Sequence, residues 1–375
     1  MNQNFRQQLL SNLKGQTVEV RDIQSRFPGW HRGVHPEYER MRPVLDEKLQ
    51  SLVKNEKKLA KLRKADFALF GASWWPYTKY EDCITLTQLA IWLFIWDDEI
   101  EEDGGSLFED FEGAQAFREK TLKFIESSLG LGSQEAQPTP TSPIINSFQE
   151  IADRLCERYT IEQRQRFMDQ MSFFIEMSEV EQQVRMSGRI PTIKEYWDIR
   201  MGTSAVGVCL AMLDFAGQMS LPTSIMKDPD MQVLWDQTNV IISLVNDMLS
   251  LKKEIVGIPF MKLLSMLDKA DKDRVSQAHG QTDSLIPLLF ALSSNIQQSM
   301  DVASNALRSA VINFEMAADR LTSRRSGDAK TDEDVAAYVR GCQYNLTGNL
   351  GWSLQTGRYG LNLEKQDEDS VTFTL

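Results

Sequence analysis

The sequence predicts an all-α protein folded as one large helical domain. Along most of its 375 residues, apolar side chains recur at three- or four-residue spacing, which is the period of an amphipathic helix. Strand signals are sparse, and no fixed-period repeat is visible. With 42% hydrophobic and 25% charged residues, the chain has the composition of a globular protein that can bury a large core. No long low-complexity linker divides it, which favours a single domain.

Helix-forming composition and proline positions predict the individual elements. Residues 37–63 are amphipathic, residues 80–101 are hydrophobic on nearly every side, and residues 130–143 form a proline-rich loop. In order, helices are expected over residues 37–63, 64–72, 80–101, 144–187, 191–222 and 231–255, with further helices toward the C-terminus. A charged segment, 323–334, is predicted to be a solvent loop. We expect a loosely ordered arm over residues 1–21, the main domain over 22–365 and a tail over 366–375.

The charge balance and the cysteines restrict the partners and the compartment. The chain carries 41 Lys and Arg against 53 Asp and Glu, a formal net charge of −12, which argues against nucleic acid or an anionic membrane as partner. Four well-separated cysteines without a C-x-x-C pair predict reduced thiols and a cytoplasmic protein. Neither a signal peptide nor a membrane span is predicted, since the most apolar window, residues 89–96, is too short.

Two acidic stretches carry the main chemical signal. Asp97 and Glu101 lie on one face of a predicted helix, and Asn246, Ser250 and Glu254 form a column on another. Carboxylate, amide and hydroxyl oxygens are the ligands that Mg²⁺ prefers, with substrate phosphates completing the coordination shell. The pattern therefore predicts a site that binds a diphosphate through magnesium.

Three other interpretations of the polar clusters are less favoured. An acidic cluster at a helix end is often a solvated surface, but this one follows a fully apolar run, where unpaired charge is costly. Residues 99–110 imitate a calcium-binding loop, yet the first position is Glu and the final one is Asp. His31 and His35 have the spacing of a shared zinc site, but no third ligand follows.

Four motifs together resemble the class I terpene synthases, and most closely the fungal sesquiterpene cyclases. Phe94-x-x-Asp97-Asp98-x-x-Glu101 is similar to the family's aspartate-rich motif, and Asn246-Asp247-x-x-Ser250-x-x-Lys253-Glu254 matches its second metal motif. Arg200 lies 246 − 200 = 46 residues before Asn246, at the place of the family's diphosphate-sensing arginine. Gly348-Asn349-Leu350-x-Trp352-Ser353 and Arg358-Tyr359 resemble its C-terminal signature. The resemblance extends from about His35 to Gly360.

The resemblance implies a class I terpenoid synthase bundle with a central apolar cavity, three Mg²⁺ ions and an isoprenyl diphosphate substrate. The implied reaction is ionisation and cyclisation of farnesyl diphosphate to a cyclic sesquiterpene, with release of diphosphate. The implied metal ligands are Asp97, Glu101, Asn246, Ser250 and Glu254. The implied diphosphate ligands are Arg200, Lys253, Arg358 and Tyr359. The expected cavity aromatics are Phe94, Trp352 and Phe70. Thr203 and Ser204 correspond to a helix break that helps to trigger ionisation.

Several alternatives stay open at this level. A diterpene cyclase would use geranylgeranyl diphosphate, and a chain-elongating prenyltransferase would share the bundle and the magnesium. The Asn, Ser and Glu of the second motif favour cyclisation, because elongating enzymes generally carry two aspartate-rich motifs. A catalytically silent helical interaction protein is a further alternative. The final proton could be removed by the released diphosphate or by a trapped water, and the chain could be a monomer or a homodimer.

Overall fold

The computed structural model describes residues 2–27, 29–101, 105–132, 142–256, 282–324, 326–361 and 369–375. These residues are mostly helical, which confirms the predicted fold class. The helices are α1 Asn2–Leu13, α2 Tyr38–Leu52, α3 Glu56–Arg63, α4 Phe67–Trp74, α5 Tyr80–Ile100, α6 Phe111–Ser128, α7 Pro143–Asn146, α8 Gln149–Arg158, α9 Ile161–Met186, α10 Ile193–Thr203, α11 Val206–Ala211, α12 Leu213–Gly217, α13 Thr223–Met226, α14 Pro229–Val256, α15 Leu285–Ser293, α16 Ile296–Ser323 and α17 Ala329–Gln355. Two short strands are also present, β1 Thr17–Val20 and β2 Val371–Thr374.

Helix α5 is the central core helix that its composition predicted. Trp92 and Trp96 are fully buried, and their indole N–H groups donate to the Ile144 carbonyl and the Thr121 hydroxyl at 2.8 and 3.0 Å. Because α5 contacts α2, α4, α8 and α12, apolar side chains are needed around most of its circumference. Its C-terminal end carries the first acidic stretch.

Three helices predicted as continuous are divided in the structure, and two of these divisions are marked by a capping residue. The predicted helix 37–63 is divided into α2 and α3, because the Asn55 side chain accepts from the backbone N–H groups of Lys57 and Lys58 and so starts a new helix. The predicted helix 144–187 becomes α7, α8 and α9, with Thr160 and Gln163 forming a capping box that starts α9. In the predicted loop 323–334, helix α17 already begins at Ala329, with Asp328 as its N-cap.

The chain termini differ from the expected loose arm and tail. Residues 2–13 form α1, and β1 pairs antiparallel with β2, with Val18 opposite Phe373. Leu9, Leu13, Val18 and Phe373 are all buried, so both termini contribute side chains to the core. This apolar burial, together with the β ladder, ties them down. The predicted domain boundaries at residues 22 and 365 stay a prediction.

The predicted helix 191–222 is interrupted at the position that the resemblance implied. Helix α10 ends at Thr203, and Ala205 has a left-handed backbone with φ of 54°. The Ser204 hydroxyl donates to the Asn239 side chain of α14 at 2.8 Å, which holds the break against that helix. The segment Ile193–Gly217 is long and apolar enough to cross a membrane by composition, but 72% of its most apolar window is buried within the protein. We therefore interpret it as a core segment.

Helix α17 approaches α4 very closely. A Cβ atom added at Gly348 would lie 2.3 Å from the Ser73 carbonyl oxygen, so only glycine fits this crossing. One turn later, Trp352 packs edge-on against Phe70 of α4, with ring centroids 5.2 Å apart. The close crossing thus places the last turn of α17 beside α4 and α5.

Candidate active site

Asp97 lies in the last turn of α5, within a concentration of negative charge. Burial and the charges of Glu101 and Asp98 raise the pKa of Asp97 to about 8, while Arg358 and Arg200 oppose this shift. Its carboxylate forms no hydrogen bond or ion pair with any other described residue. Such a group is stabilised by added positive charge.

Glu101, also predicted as a metal ligand, has an arginine partner. Arg185 of α9 donates to Glu101 at 3.1 Å and also binds the carbonyl oxygens of Ile100 and Phe108. Burial raises the pKa of Glu101, whereas Arg185 lowers it. The second carboxylate oxygen of Glu101, like Oδ2 of Asp98, is buried without a hydrogen-bond partner in the described part of the chain.

The second motif lies on α14, where it meets Arg200 of α10. Arg200 donates to Oδ1 of Asn246 at 2.7 Å and to Asp247 at 3.2 Å. The side-chain N–H of Asn246 donates to the Tyr359 hydroxyl at 2.7 Å. Three predicted site residues, Arg200, Asn246 and Tyr359, are therefore directly connected.

Asp247 is the buried centre of this network. Besides Arg200, it accepts a hydrogen bond from the Tyr196 hydroxyl at 2.5 Å and one from the backbone N–H of Leu285 at 2.8 Å. Burial acts to lower the pKa of Arg200, but the charge of Asp247 raises it above its ordinary value. The Tyr196 hydroxyl thus has a polar role in this network.

Ser250 and Glu254 lie on the same face of α14, as the four-residue spacing predicted. The Ser250 hydroxyl donates to Glu254, and the Ser284 hydroxyl donates to its other carboxylate oxygen at 2.6 Å. Burial and the charge of Asp247 raise the pKa of Glu254, and these two hydroxyl donors oppose the rise. Ser284 precedes α15, and nothing in the sequence pattern singled it out.

The two acidic stretches converge on Arg200. Its positive charge lowers the pKa of Asp97, while the negative charge of Glu254 raises the pKa of Arg200. Both stretches therefore lie within electrostatic range of one guanidinium, although 254 − 97 = 157 residues separate them in sequence. The two stretches therefore share one electrostatic partner, which supports a common site for them.

The C-terminal signature adds further basic groups to the same end of the molecule. The Arg358 guanidinium lies 3.9 Å from Asp98 and 4.9 Å from the centre of the Phe94 ring. Burial, together with the positive charges of Arg358 and Lys61, lowers the pKa of Lys253 to about 7. Several cations thus crowd together beside the carboxylates, an arrangement that suits a polyanionic ligand.

The three predicted cavity aromatics contact one another beside these charges. Phe70 lies edge-on to Phe94 and to Trp352, at centroid distances of 6.1 and 5.2 Å, and Phe94 lies 6.2 Å from Trp352. Tyr359 extends this group, with its ring 5.7 Å from Trp352. Phe70 and Trp352 are buried, whereas Phe94 is partly exposed. A central apolar cavity bounded by these rings stays a prediction.

Glu181 on α9 carries a charge near the site that sequence reasoning missed. Burial raises its pKa well above the ordinary value, and the charges of Glu101 and Asp97 raise it further, against the effect of Arg200. It therefore lies within electrostatic range of the acidic cluster. Glu181 has no motif around it, so only the packing of α9 against the site reveals it.

The donor chemistry fits a divalent cation. Asp97 lacks a hydrogen-bond or ion-pair partner, and Asp98 and Glu101 each have a buried oxygen without one, in the part of the chain that the structure describes. That part contains no group of three or more His, Cys, Asp or Glu arranged to hold a metal by themselves. The second column has one carboxylate, an amide and a hydroxyl, so a cation there would depend on hard oxygen donors of mixed type.

Other predicted or visible features do not contribute to this site. A cavity of about 870 Å³ lies near Asp82, at the opposite end of α5. It is 97 − 82 = 15 residues from Asp97, or about 22 Å along the helix. The charges around it are paired with one another, for example Arg158 with Asp82 at 2.5 Å. The buried His35 ring is bonded to the Thr78 carbonyl and the Glu37 N–H, a structural role rather than a zinc site.

Comparison with known proteins agrees with the geometry. Residues 88–286 match the family described as terpene synthase family 2, C-terminal metal binding. The chain is 32% identical to sesquiterpene cyclase hepA of Aspergillus oryzae over 367 residues, which cover 96% of this chain and 93% of that protein. It is 26% identical to silphinene synthase peniA of Penicillium patulum over 354 residues, covering 93% and 87% of the two chains.

Solved structures share the fold at lower identity. The crystal structure of α-eudesmol synthase matches with a TM-score of 0.72 and 17% identity, covering 88% of this chain and 98% of that one. Germacradien-4-ol synthase from Streptomyces citricolor matches with a TM-score of 0.68 and 17% identity, covering 87% and 96%. The matched metal-binding region, the full-length relative and the helical fold lead to one conclusion: the chain belongs to the terpene synthase family.

Proposed function

We propose that the protein is a sesquiterpene synthase that ionises and cyclises farnesyl diphosphate in the presence of Mg²⁺ and releases diphosphate. The observation that carries this proposal is the convergence of the Asp97 cluster and the Asn246 column on Arg200, next to an aromatic group. The sesquiterpene cyclase of Aspergillus oryzae, similar along nearly the whole chain, supports the choice of a C15 substrate.

The proposed metal ligands are Asp97, Asn246, Ser250 and Glu254, with Glu101 as a further candidate through its unpartnered oxygen. Bound Mg²⁺ would supply positive charge that stabilises the leaving diphosphate as the allylic carbon–oxygen bond breaks. Asn246 would exchange its present partner, Arg200, for the cation. Glu254 would bind the cation through the oxygen that now accepts from Ser250 and would keep its contact with Ser284. Asp97 needs no such exchange.

Four basic or phenolic side chains would hold the diphosphate. Arg200 and Arg358 can each donate two parallel N–H groups to phosphate oxygens, and Lys253 adds a point charge. Tyr359 is already oriented by Asn246, which donates to its hydroxyl at 2.7 Å. These contacts strengthen as negative charge develops on the leaving group, so they favour the transition state over the ground state.

The aromatic group would protect the carbocation. Phe94, Phe70 and Trp352 present ring faces and edges beside the position of the diphosphate, and each ring face would stabilise a cation by about 0.5–2 kcal/mol. Apolar walls also exclude the water that would quench the cation prematurely. For the final deprotonation, the released diphosphate or a trapped water is the proposed base.

The experiment incubates the purified protein separately with farnesyl and geranylgeranyl diphosphate, with and without Mg²⁺, and identifies extracted products by gas chromatography and mass spectrometry. We expect a cyclic C15 product that requires Mg²⁺ and is lost in Asn246→Ala. Asn305→Ala is the matched control, because Asn305 is exposed on α16 and lies outside both metal motifs. A C20 product would instead identify a diterpene cyclase.

The rival activities are tested in the same assay. Adding isopentenyl diphosphate would produce a longer diphosphate if the protein were a chain-elongating prenyltransferase. If neither substrate releases diphosphate with Mg²⁺, while the protein remains helical by circular dichroism, the proposed activity is wrong.

A further inference from the structure

We propose that Arg6, on the N-terminal helix α1, is a positioning residue for the metal site: it fixes residues 283–285, which hold Glu254 and Asp247. This inference rests on the proposed function, because it presupposes that Mg²⁺ binds at the two metal motifs. The contact that Arg6 makes lies outside both motifs. Arg6 is 254 − 6 = 248 residues from Glu254 in the chain.

Arg6 joins α1 to two separate segments near the site. Its guanidinium donates to Asp283 at 2.7 Å and to the backbone carbonyl of Arg189 at 2.6 Å. The Arg6 and Asp283 side chains are only 17% and 25% exposed, so solvent screening of this ion pair is reduced. Helix α1 is held in place by the burial of Leu9 and Leu13.

The residues after Asp283 bind the second metal motif directly. The Ser284 hydroxyl donates to Glu254 at 2.6 Å, and the backbone N–H of Leu285 donates to Asp247 at 2.8 Å. Asp247 in turn binds Arg200. Because these are consecutive residues, fixing the Asp283 side chain restricts the positions of both donors. Groups that orient metal ligands in this way affect metal affinity although they do not touch the metal.

The charge of Asp283 gives Arg6 a second effect. Asp283 is an additional carboxylate within electrostatic range of the acidic cluster. Burial raises the pKa of Asp283 itself, while Arg6 lowers it. Without Arg6, Asp283 would lose its ion-pair partner, and the restraint that this pair places on Ser284 would be lost.

The competing explanation is that Arg6 only anchors α1 to the body of the protein. Arg6→Met removes the charge while keeping a long side chain of good helix propensity. Arg6→Lys keeps the charge, and Asp283→Asn removes the opposite partner. Arg21→Gln is the matched control, because Arg21 is in the same N-terminal segment but is paired with Glu19 on the surface, where its side chain is 56% exposed.

The readout is the rise in melting temperature that inorganic diphosphate and increasing Mg²⁺ produce, which requires no turnover. For Arg6→Met and Asp283→Asn, we expect the midpoint Mg²⁺ concentration to rise about tenfold, the lower end for groups that orient metal ligands. The double variant should show little more than either single one, because both act through one contact. Arg6→Lys should restore part of the response, and Arg21→Gln should match the wild type.

The outcomes separate this inference from the proposed function. If the wild type shows no response to Mg²⁺ and diphosphate, the proposed function itself fails. If the wild type responds and Arg6→Met has the same midpoint, with or without a lower basal melting temperature, Arg6 is an anchor only and the positioning role is wrong.

Discussion

Replacement of Gly348 by alanine tests the close crossing of α4 and α17 that supports the aromatic side of the site. The new Cβ would lie 2.3 Å from the carbonyl oxygen of Ser73, 2.6 Å from its carbonyl carbon and 2.9 Å from the Trp74 nitrogen. These are backbone atoms, so no rotamer change relieves the clash, and the helices must move apart. Overpacking of this kind costs about 1–3 kcal/mol. Alanine regains about 1 kcal/mol of helix propensity.

Because the contacts are so short, we take the upper end of that range, about 3 kcal/mol. Subtracting the gain of about 1 kcal/mol in helix propensity leaves an expected net loss of about 2 kcal/mol. Gly351 provides the control, since it lies three residues later on α17 and a Cβ there has no atom within 4 Å. Gly351→Ala should therefore stabilise the protein by up to about 1 kcal/mol. The two single-methyl changes are predicted to have opposite signs.

Equilibrium urea unfolding, followed by circular dichroism, measures both free energies of unfolding. Product formation from farnesyl diphosphate should also fall in Gly348→Ala, because separation of the helices moves Trp352 away from Phe70. The reasoning is refuted if Gly348→Ala is as stable as Gly351→Ala. That outcome includes the case in which both variants lose the same amount of stability.

Three further predictions concern charge, aromatic contact and thiol burial. Asp247→Asn should lower the free energy of unfolding by about 3 kcal/mol, because it breaks a buried ion pair. Asp46→Asn, which breaks a surface pair with Arg63, should cost less than about 1 kcal/mol; equal losses in urea unfolding would contradict this. Phe94→Leu should lower turnover about tenfold, because it removes a ring face near the carbocation and the contact with Arg358. Unchanged initial rates would argue against a role for the ring. Of the four cysteines, only Cys156 is exposed. A thiol reagent should therefore modify one cysteine rapidly in the folded protein and all four after denaturation. Rapid modification of a second cysteine in the folded protein would disprove this burial pattern.

Much of the fold followed from the sequence because helix formation is local. The apolar run before Asp97 predicted a core helix, and α5 has that role. The four-residue spacing of Asn246, Ser250 and Glu254 sets their common face on any helix, whatever surrounds it. The divisions within residues 37–63 and 144–187 were missed, because the capping contacts of Asn55 and Thr160 interrupt a continuous hydrophobic pattern.

Site residues without a motif could not be found in this way. Glu181, Arg185 and Ser284 reach the acidic cluster only because α9 and the residues preceding α15 pack against it. Arg185 also changes the interpretation of Glu101, since one of the two carboxylate oxygens that the motif offers is already occupied by a guanidinium.

The sequence by itself determined the helical class, the two columns of oxygen donors and the family, because each depends on spacing along one helix or on a short motif. The tertiary structure decided which side chains form hydrogen bonds and ion pairs with those oxygen donors. It also joined β1 and β2 in a strand pair, in which the hydroxyl oxygens of Thr17 and Thr374 are 3.0 Å apart. Contacts between residues hundreds of positions apart depend on how whole helices pack. Their free energy comes from the burial of many side chains at once, which no local pattern records.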